Sequence, residues 1–204
     1  GMYSLVKILI TGLFGIAPFL LSAQTDTIKL HFLYGSRPAR GYKDTEKKVF
    51  GGTKGGHVNI EVDGKVLDFL PGKNPLLPQN GRPTGHFRIN PARYWDTATS
   101  KWAEVHIPVT ALQKSQLLIL FDELSEQTPY DYAIFGMRCA AASYHVLSEV
   151  GLFKRLRRNQ NIFQHFYPKL LRKKIYRWAR QNQYPIYFHS GKTSRKWESD
   201  QGIF

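Results

Sequence analysis

Cysteine is nearly absent from this chain: its 204 residues include one, Cys139. A single cysteine excludes an internal disulfide framework, so the fold must be stabilised by packing. A lone thiol of this kind is either a small buried apolar side chain or a nucleophile. Composition alone leaves both interpretations of Cys139 open.

Two common ligand-binding patterns are missing as well. The seven histidines form no H-x-x-x-H pair and no cluster with cysteine, so the sequence gives no basis for a zinc site. The glycine-rich run at 51–56 lacks the G-x-x-x-x-G-K-[ST] order of a phosphate-binding loop. We therefore expect neither a metal ion nor a cofactor.

Acidic residues are absent from residues 150–197, which carry thirteen lysines and arginines. Basic blocks of this kind bind polyanions such as membrane surfaces or acidic wall polymers, although a solvated helix face explains the pattern equally well. The stretch Lys169–Arg180, which contains Tyr176 and Trp178, is the part that we expect to contact an anionic membrane surface. Nucleic acid is not an expected partner, because the chain begins like an exported protein.

The longest apolar run, at 8–21, is short for a membrane span and is interrupted by two glycines and a proline. Lys7 precedes the run and small residues follow it, which is typical of a signal peptide. We predict a signal peptide over residues 1–23, cleavage after Ala23, and a periplasmic or secreted product. Residues 24–204 have the length of a single domain, and we expect a basic helical extension from about residue 152.

Apolar periodicity predicts an α+β fold in which an antiparallel sheet packs against helices. The predicted strands cover 28–34, a hairpin over 57–69, 103–109 and 184–188, whereas 71–91 is mostly loop. The predicted helices run from a capping box at 110–113 to about 126, from 139 to 150, and from about 168 to 181.

The Asp-Gly turn at 63–64 sets the register of the hairpin and with it the surroundings of His57. In that register Asn59, Glu61 and Asp68 share a face with His57. An imidazole beside a carboxylate is oriented and made more basic. The polar outer face of an ordinary edge hairpin would give the same pattern, so both interpretations are kept.

Cys139 is predicted in the first turn of its helix. Unpaired backbone N–H groups and the positive end of the helix dipole favour a thiolate there, and the same N–H groups can stabilise an oxyanion. Small alanines at 140–142 allow close packing against a sheet, which also suits an inert buried thiol. His145 lies six residues further on, well round the helix, and is not the expected base.

The order of these motifs resembles that of the permuted papain-like amidases. The motifs are Tyr34-Gly-Ser-Arg-Pro, then Gly55-Gly-His-Val-Asn-Ile60, and much later Tyr132 followed by Cys139-Ala-Ala-Ala. Those amidases look like circular permutants of NlpC-type cell-wall peptidases and are similar in layout to lecithin:retinol acyltransferase-like enzymes. The match covers about residues 30–152. It departs from the family at Arg138, where relatives often have asparagine.

The resemblance implies a papain-like fold and an exported cysteine hydrolase that cleaves an amide bond in a wall peptide or a similar envelope substrate. Cys139 maps to the nucleophile, His57 to the general base and Asp68 to the third residue of the triad. Glu61 and Asn59 are the alternatives for that third residue, and both are also candidates for substrate binding.

Two tyrosines are further candidates for contact with the substrate, and two other functions are compatible with the same motifs. Tyr34 and Tyr132 are placed to line a cleft, with aromatic core packing as the alternative for each. One other function is a thiol acyltransferase or lipid hydrolase acting on a lipid or acyl substrate at the membrane surface. The other is a non-catalytic binding module of the envelope.

Overall fold

The computed structural model describes residues 25–34, 56–73, 75–79, 84–92 and 102–189. These residues form an α+β arrangement of six strands in one antiparallel sheet and four helices. The strands are β1 (Thr25–Tyr34), β2 (Gly56–Val62), β3 (Lys65–Pro71), β4 (Gly85–Pro91), β5 (Trp102–Thr110) and β6 (Ile186–His189). The helices are α1 (Ala111–Glu126), α2 (Cys139–Glu149), α3 (Arg158–Gln164) and α4 (Pro168–Gln181). The predicted signal peptide lies outside the described residues.

The sheet has the strand order β4-β3-β2-β1-β5-β6, and every pairing is antiparallel. The predicted hairpin is confirmed as β2 and β3. Asp63 and Gly64 have φ angles of 47° and 76°, so both turn residues adopt the left-handed conformation that an Asp-Gly turn favours. Val62 lies opposite Lys65, as the turn predicts.

The core lies between one face of the sheet and the helices. Alternate side chains of the strands, among them Ile28, Leu30, Val58 and Ile60, are fully or almost fully buried. The core side of α1, α2 and α4 packs against them. The predicted helix from the capping box at Thr110 and the predicted helix that begins at Cys139 are both confirmed.

The prediction that 71–91 is mostly loop was wrong for its second half, which forms β4. The alternation His86, Phe87, Arg88, Ile89 is typical of a strand, but it is short and follows a stretch rich in proline and glycine. Because β4 pairs with β3, the hairpin lies inside the sheet, and β4 is the edge strand on that side. The interpretation of the hairpin as a solvent-facing edge is therefore wrong.

The segment expected to be a basic extension contributes to the core and to the sheet. Leu171, Ile175 and Ala179 of α4 are fully buried, and β6 pairs with β5. Helix α3 had not been predicted, because its seven residues are mostly polar and show no apolar periodicity. None of the helices in the described ranges combines the length and the apolar character needed to cross a bilayer.

Replacing Thr110 with alanine will test the start of α1. The Gln113 N–H donates to the Thr110 hydroxyl at 3.1 Å, and the Thr110 N–H donates to the Gln113 side chain at 3.0 Å. Loss of this cap should lower the free energy of unfolding by about 1 kcal/mol. Urea denaturation measures the change, with Thr110→Ser as the control that keeps the hydroxyl. An unchanged midpoint in Thr110→Ala would contradict the cap.

Candidate active site

His57 and Cys139 each stand at the start of the element that carries them. His57 follows Gly56 at the beginning of β2, and Cys139 is the first residue of α2, which packs on β2 and β3. Backbone pairing between β2 and β3 runs from Val62–Lys65 only as far as Ile60–Leu67. The helix start therefore meets β2 where that strand is no longer paired to β3.

Asp68 links β3 to the histidine strand through its side chain. The His57 Nε2–H donates to Asp68 Oδ1 at 2.6 Å, and Asn59 donates to the same oxygen at 2.8 Å. The other oxygen accepts from Asn90 of β4 at 2.7 Å. The carboxylate is 2% exposed, so three donors compensate its removal from water.

The charge of Asp68 is stabilised by these donors. Burial alone would raise the pKa of the carboxyl group. The hydrogen bond from His57 and its positive charge, together with the two asparagine amides, outweigh burial and hold the pKa below its ordinary value. Asp68 therefore stays ionised and fixes one ring nitrogen of His57.

The other side of the His57 ring faces the thiol. Burial would lower the pKa of His57, but the hydrogen bonds to Asp68 and Cys139 and the charges of both groups raise it to about 10. Because Nε2 is held by Asp68, Nδ1 is the nitrogen that is left for Cys139. These contacts favour the protonated form of His57 at neutral pH.

The Cys139 thiol shows the complementary change. Burial would raise its pKa, and the residue is 3% exposed. The hydrogen bond from His57, the positive charges of His57 and Arg138, and a hydrogen bond from the Val58 backbone lower the pKa of the thiol below its ordinary value. Both shifts favour a thiolate–imidazolium pair, which is the charge state of an activated cysteine.

Arg138, which precedes the cysteine, is 6% exposed. Its guanidinium lies 5.4 Å from the ring centroid of Phe166 and 5.8 Å from that of Tyr167, and it donates to the Phe166 carbonyl at 3.3 Å. The packing holds a positive charge close to the sulfur, and this charge helps to lower the pKa of the Cys139 thiol.

The structure places the two candidate tyrosines differently. Tyr132 lies near Cys139 and Arg138: burial and the cysteine charge raise the pKa of its hydroxyl to about 12, against the opposing effect of a hydrogen bond to Arg138. The Tyr34 hydroxyl instead lies 2.9 Å from the Tyr176 hydroxyl of α4. Tyr132 thus belongs to the surroundings of the thiol, and Tyr34 joins β1 to α4.

Glu61 faces a different set of partners. It accepts a hydrogen bond from His31 at 2.7 Å and lies 3.3 Å from the Lys29 ammonium group. Of the three candidates for the third residue, Asp68 is in contact with His57, Asn59 supports Asp68, and Glu61 lies elsewhere. His145 contacts Tyr130 and Glu149. Across the described part of the chain, no group of three or more His, Cys, Asp or Glu is arranged to hold a metal ion.

Sequence reasoning missed two partners of the site. Asn90 went unnoticed because its strand was interpreted as loop, although the alternation in β4 would have placed it on the face of Asp68. The Val58 backbone N–H could not be found from the sequence, because its availability depends on where the pairing of β2 with β3 ends.

The ionisation of Cys139 can be measured directly, because the chain contains one cysteine. The ultraviolet absorbance of the thiolate should persist down to mildly acidic pH in the native protein. In His57→Ala the pKa of the thiol should rise above its ordinary value, because the effect of burial then dominates. The fraction of Cys139 that is present as thiolate at about pH 7 should then fall to roughly one per cent. His86→Ala, at an exposed position of β4, is the matched control. A native thiolate that forms only above about pH 9 would contradict the ion pair.

No family model, no curated protein and no solved structure matches this chain. The resemblance of its motifs to the permuted papain-like amidases accordingly stays an expectation. What this site can do follows from its own contacts: a buried carboxylate, an imidazole that the carboxylate orients, and a thiol of lowered pKa at a helix start.

Proposed function

We propose that the protein is an exported cysteine hydrolase of papain-like type, with Cys139 as nucleophile, His57 as acid and base, and Asp68 as the residue that orients His57. One observation carries the proposal: a single imidazole is hydrogen-bonded to a buried carboxylate and lies close enough to the thiol for each to shift the pKa of the other. Apolar packing alone gives no reason to arrange three ionisable groups in this order.

The first half of the reaction forms an acyl-enzyme. The Cys139 thiolate attacks the carbonyl carbon of an amide, and the carbonyl oxygen takes the negative charge. As the C–N bond breaks, the His57 imidazolium gives its Nδ1 proton to the leaving amine. The products of this half are a thioester on Cys139, a free amine and a neutral His57.

The second half regenerates the enzyme. Neutral His57 takes a proton from water, the resulting hydroxide attacks the thioester, and the acid product leaves as the sulfur recovers its negative charge. Asp68 keeps the ring in the same orientation throughout. The thiolate–imidazolium pair is then restored for the next substrate.

In this proposal two groups stabilise the oxyanion. The Cys139 backbone N–H is at the start of α2, where N–H groups have no partner within the helix. The Tyr132 hydroxyl, which is neutral at about pH 7 and lies near Cys139, is the second donor that we propose. The substrate approaches from the side of His57, because that side chain is 21% exposed and Cys139 is 3% exposed.

The substrate class rests on the predicted signal peptide and on the family resemblance, which together favour an amide bond in a wall peptide. A lipid hydrolase or an acyltransferase would use the same three residues and an ester in place of the amide. The basic outer face of α4 is the observation that favours this second function. A binding module without catalysis would have no use for a thiolate.

Turnover of muropeptides by matched variants tests the proposal. Cys139→Ala and His57→Ala should abolish hydrolysis, and Asp68→Asn should reduce it by roughly 10²- to 10⁴-fold because the ring loses its orientation. Glu61→Gln changes another largely buried carboxylate in the same sheet and should leave the rate within about twofold. Released amine is measured, and circular dichroism checks folding.

Three outcomes would count against the proposal. Hydrolysis that survives in Cys139→Ala would exclude the thiol as nucleophile. Equal losses of hydrolysis rate in Glu61→Gln and Asp68→Asn would indicate that Asp68 stabilises the fold and has no specific role in the reaction. Hydrolysis of phospholipids and not of muropeptides, with the same dependence on Cys139, would replace the amidase by the lipid hydrolase.

A further inference from the structure

Helix α4 turns a basic stripe toward solvent. Lys173, Arg177 and Arg180 are exposed, with Leu170 at the beginning of the same stripe, and the spacing of three and four residues puts them on one face. The opposite face, with Ile175 at its centre, is fully buried in the core. The apolar side of α4 is thus already occupied, and the charged side is what another molecule can meet.

Within the described ranges these charges have no acidic partners. Lys173, Arg177 and Arg180 form no ion pair with a carboxylate anywhere in the described ranges. No acidic residue occurs in the sequence between 150 and 197. An uncompensated stripe of this kind attracts an extended anionic surface, and each added cation strengthens the attraction.

Exposed aromatic groups adjoin the stripe. The Arg180 guanidinium lies 5.9 Å from the ring centroid of Tyr176, and the Tyr176 ring lies 5.8 Å from that of Phe188 in the edge strand β6. Phe188 is 60% exposed, and its neighbour Tyr187 is 47% exposed. Apolar and aromatic side chains beside cations are typical of surfaces that rest at the membrane–water interface.

We propose that this basic aromatic surface docks on an anionic phospholipid bilayer. Its members are Leu170, Lys173, Tyr176, Arg177, Arg180 and Phe188. The cations meet the lipid headgroups, and the Phe188 ring enters the interface beside them. A soluble polyanion would use the cations and would gain little from an exposed phenylalanine, so the bilayer fits the surface better.

The surface is connected to the candidate active site. The Tyr176 hydroxyl lies 2.9 Å from the hydroxyl of Tyr34, which ends β1 opposite Gly56, the residue before His57. A docked protein would therefore hold the end of the sheet that carries His57 close to the bilayer. This orientation would favour a substrate that is linked to the membrane. That consequence rests on the proposed function, whereas the docking itself does not.

Co-sedimentation with vesicles tests the docking. The protein should bind vesicles that contain phosphatidylglycerol more tightly than vesicles of phosphatidylcholine alone. The phosphatidylcholine vesicles serve as the control, because they measure any binding through other apolar segments. Lys173→Glu with Arg177→Glu should weaken the anionic component about tenfold or more. Lys65→Glu with Lys73→Glu makes the same charge change at exposed positions of β3 and just after it, and should alter binding by less than about threefold.

The aromatic contribution needs its own pair of variants. Phe188→Ser should weaken binding at raised salt, where the cations are screened, whereas Ile119→Ser, at a residue 58% exposed on α1, should not. Cys139→Ala should bind as the unchanged protein does, which separates docking from catalysis. Thermal unfolding checks that each variant is folded.

Any one of three results would overturn the docking proposal. The first is equal binding to both kinds of vesicle. The second is an equal loss in the two charge-reversed proteins. The third is binding that is unchanged in Phe188→Ser and is displaced by soluble polyphosphate. That result would assign the surface to a soluble polyanion instead.

Discussion

Asp68 carries a negative charge in a place that is almost closed to water, and the surrounding structure is arranged to hold it there. An unpaired carboxylate at 2% exposure would be strongly destabilising. Donors from His57 and Asn59 of β2 and from Asn90 of β4 satisfy it. Strands on both sides of β3 thus depend on this one side chain, and the orientation of the imidazole is a consequence of its burial.

The two faces of the sheet have different tasks. The apolar face packs against the helices and supplies the stability of the fold. The polar face carries buried pairs such as His31 with Glu61, which tie neighbouring strands together by side-chain hydrogen bonds. The candidate site lies where the beginning of β2 and the beginning of α2 approach each other, so the thiol comes from the helical layer and its acid–base partner from the sheet.

Local chemistry made half of the site predictable. The Asp-Gly turn at 63–64 fixes the hairpin register, and the register puts Asp68 beside His57. The third donor to Asp68 could not be predicted, because Asn90 lies on β4, whose short alternation follows an irregular stretch. The contact between His57 and Cys139 joins segments far apart in the chain, and the motif resemblance was the one indication of it.

The C-terminal segment illustrates the same limit of sequence patterns. Its charge suggested an appended basic helix, yet the apolar side of α4 completes the core and β6 extends the sheet. Charge counts identify what a segment presents to solvent, and only packing determines whether the segment is part of the fold. The basic face of α4 therefore has a fixed position relative to His57.

The protonation state of His57 tests the central claim most directly. Nitrogen chemical shifts of the histidine rings, with His57 assigned by comparison with His57→Gln, report whether both nitrogens carry a proton. The thiolate–imidazolium pair predicts a doubly protonated His57 ring at about pH 7, and a ring that loses a proton at lower pH once Cys139 is replaced by alanine. The account would be contradicted by a neutral His57 ring at that pH in the unchanged protein, with the same protonation state in Cys139→Ala.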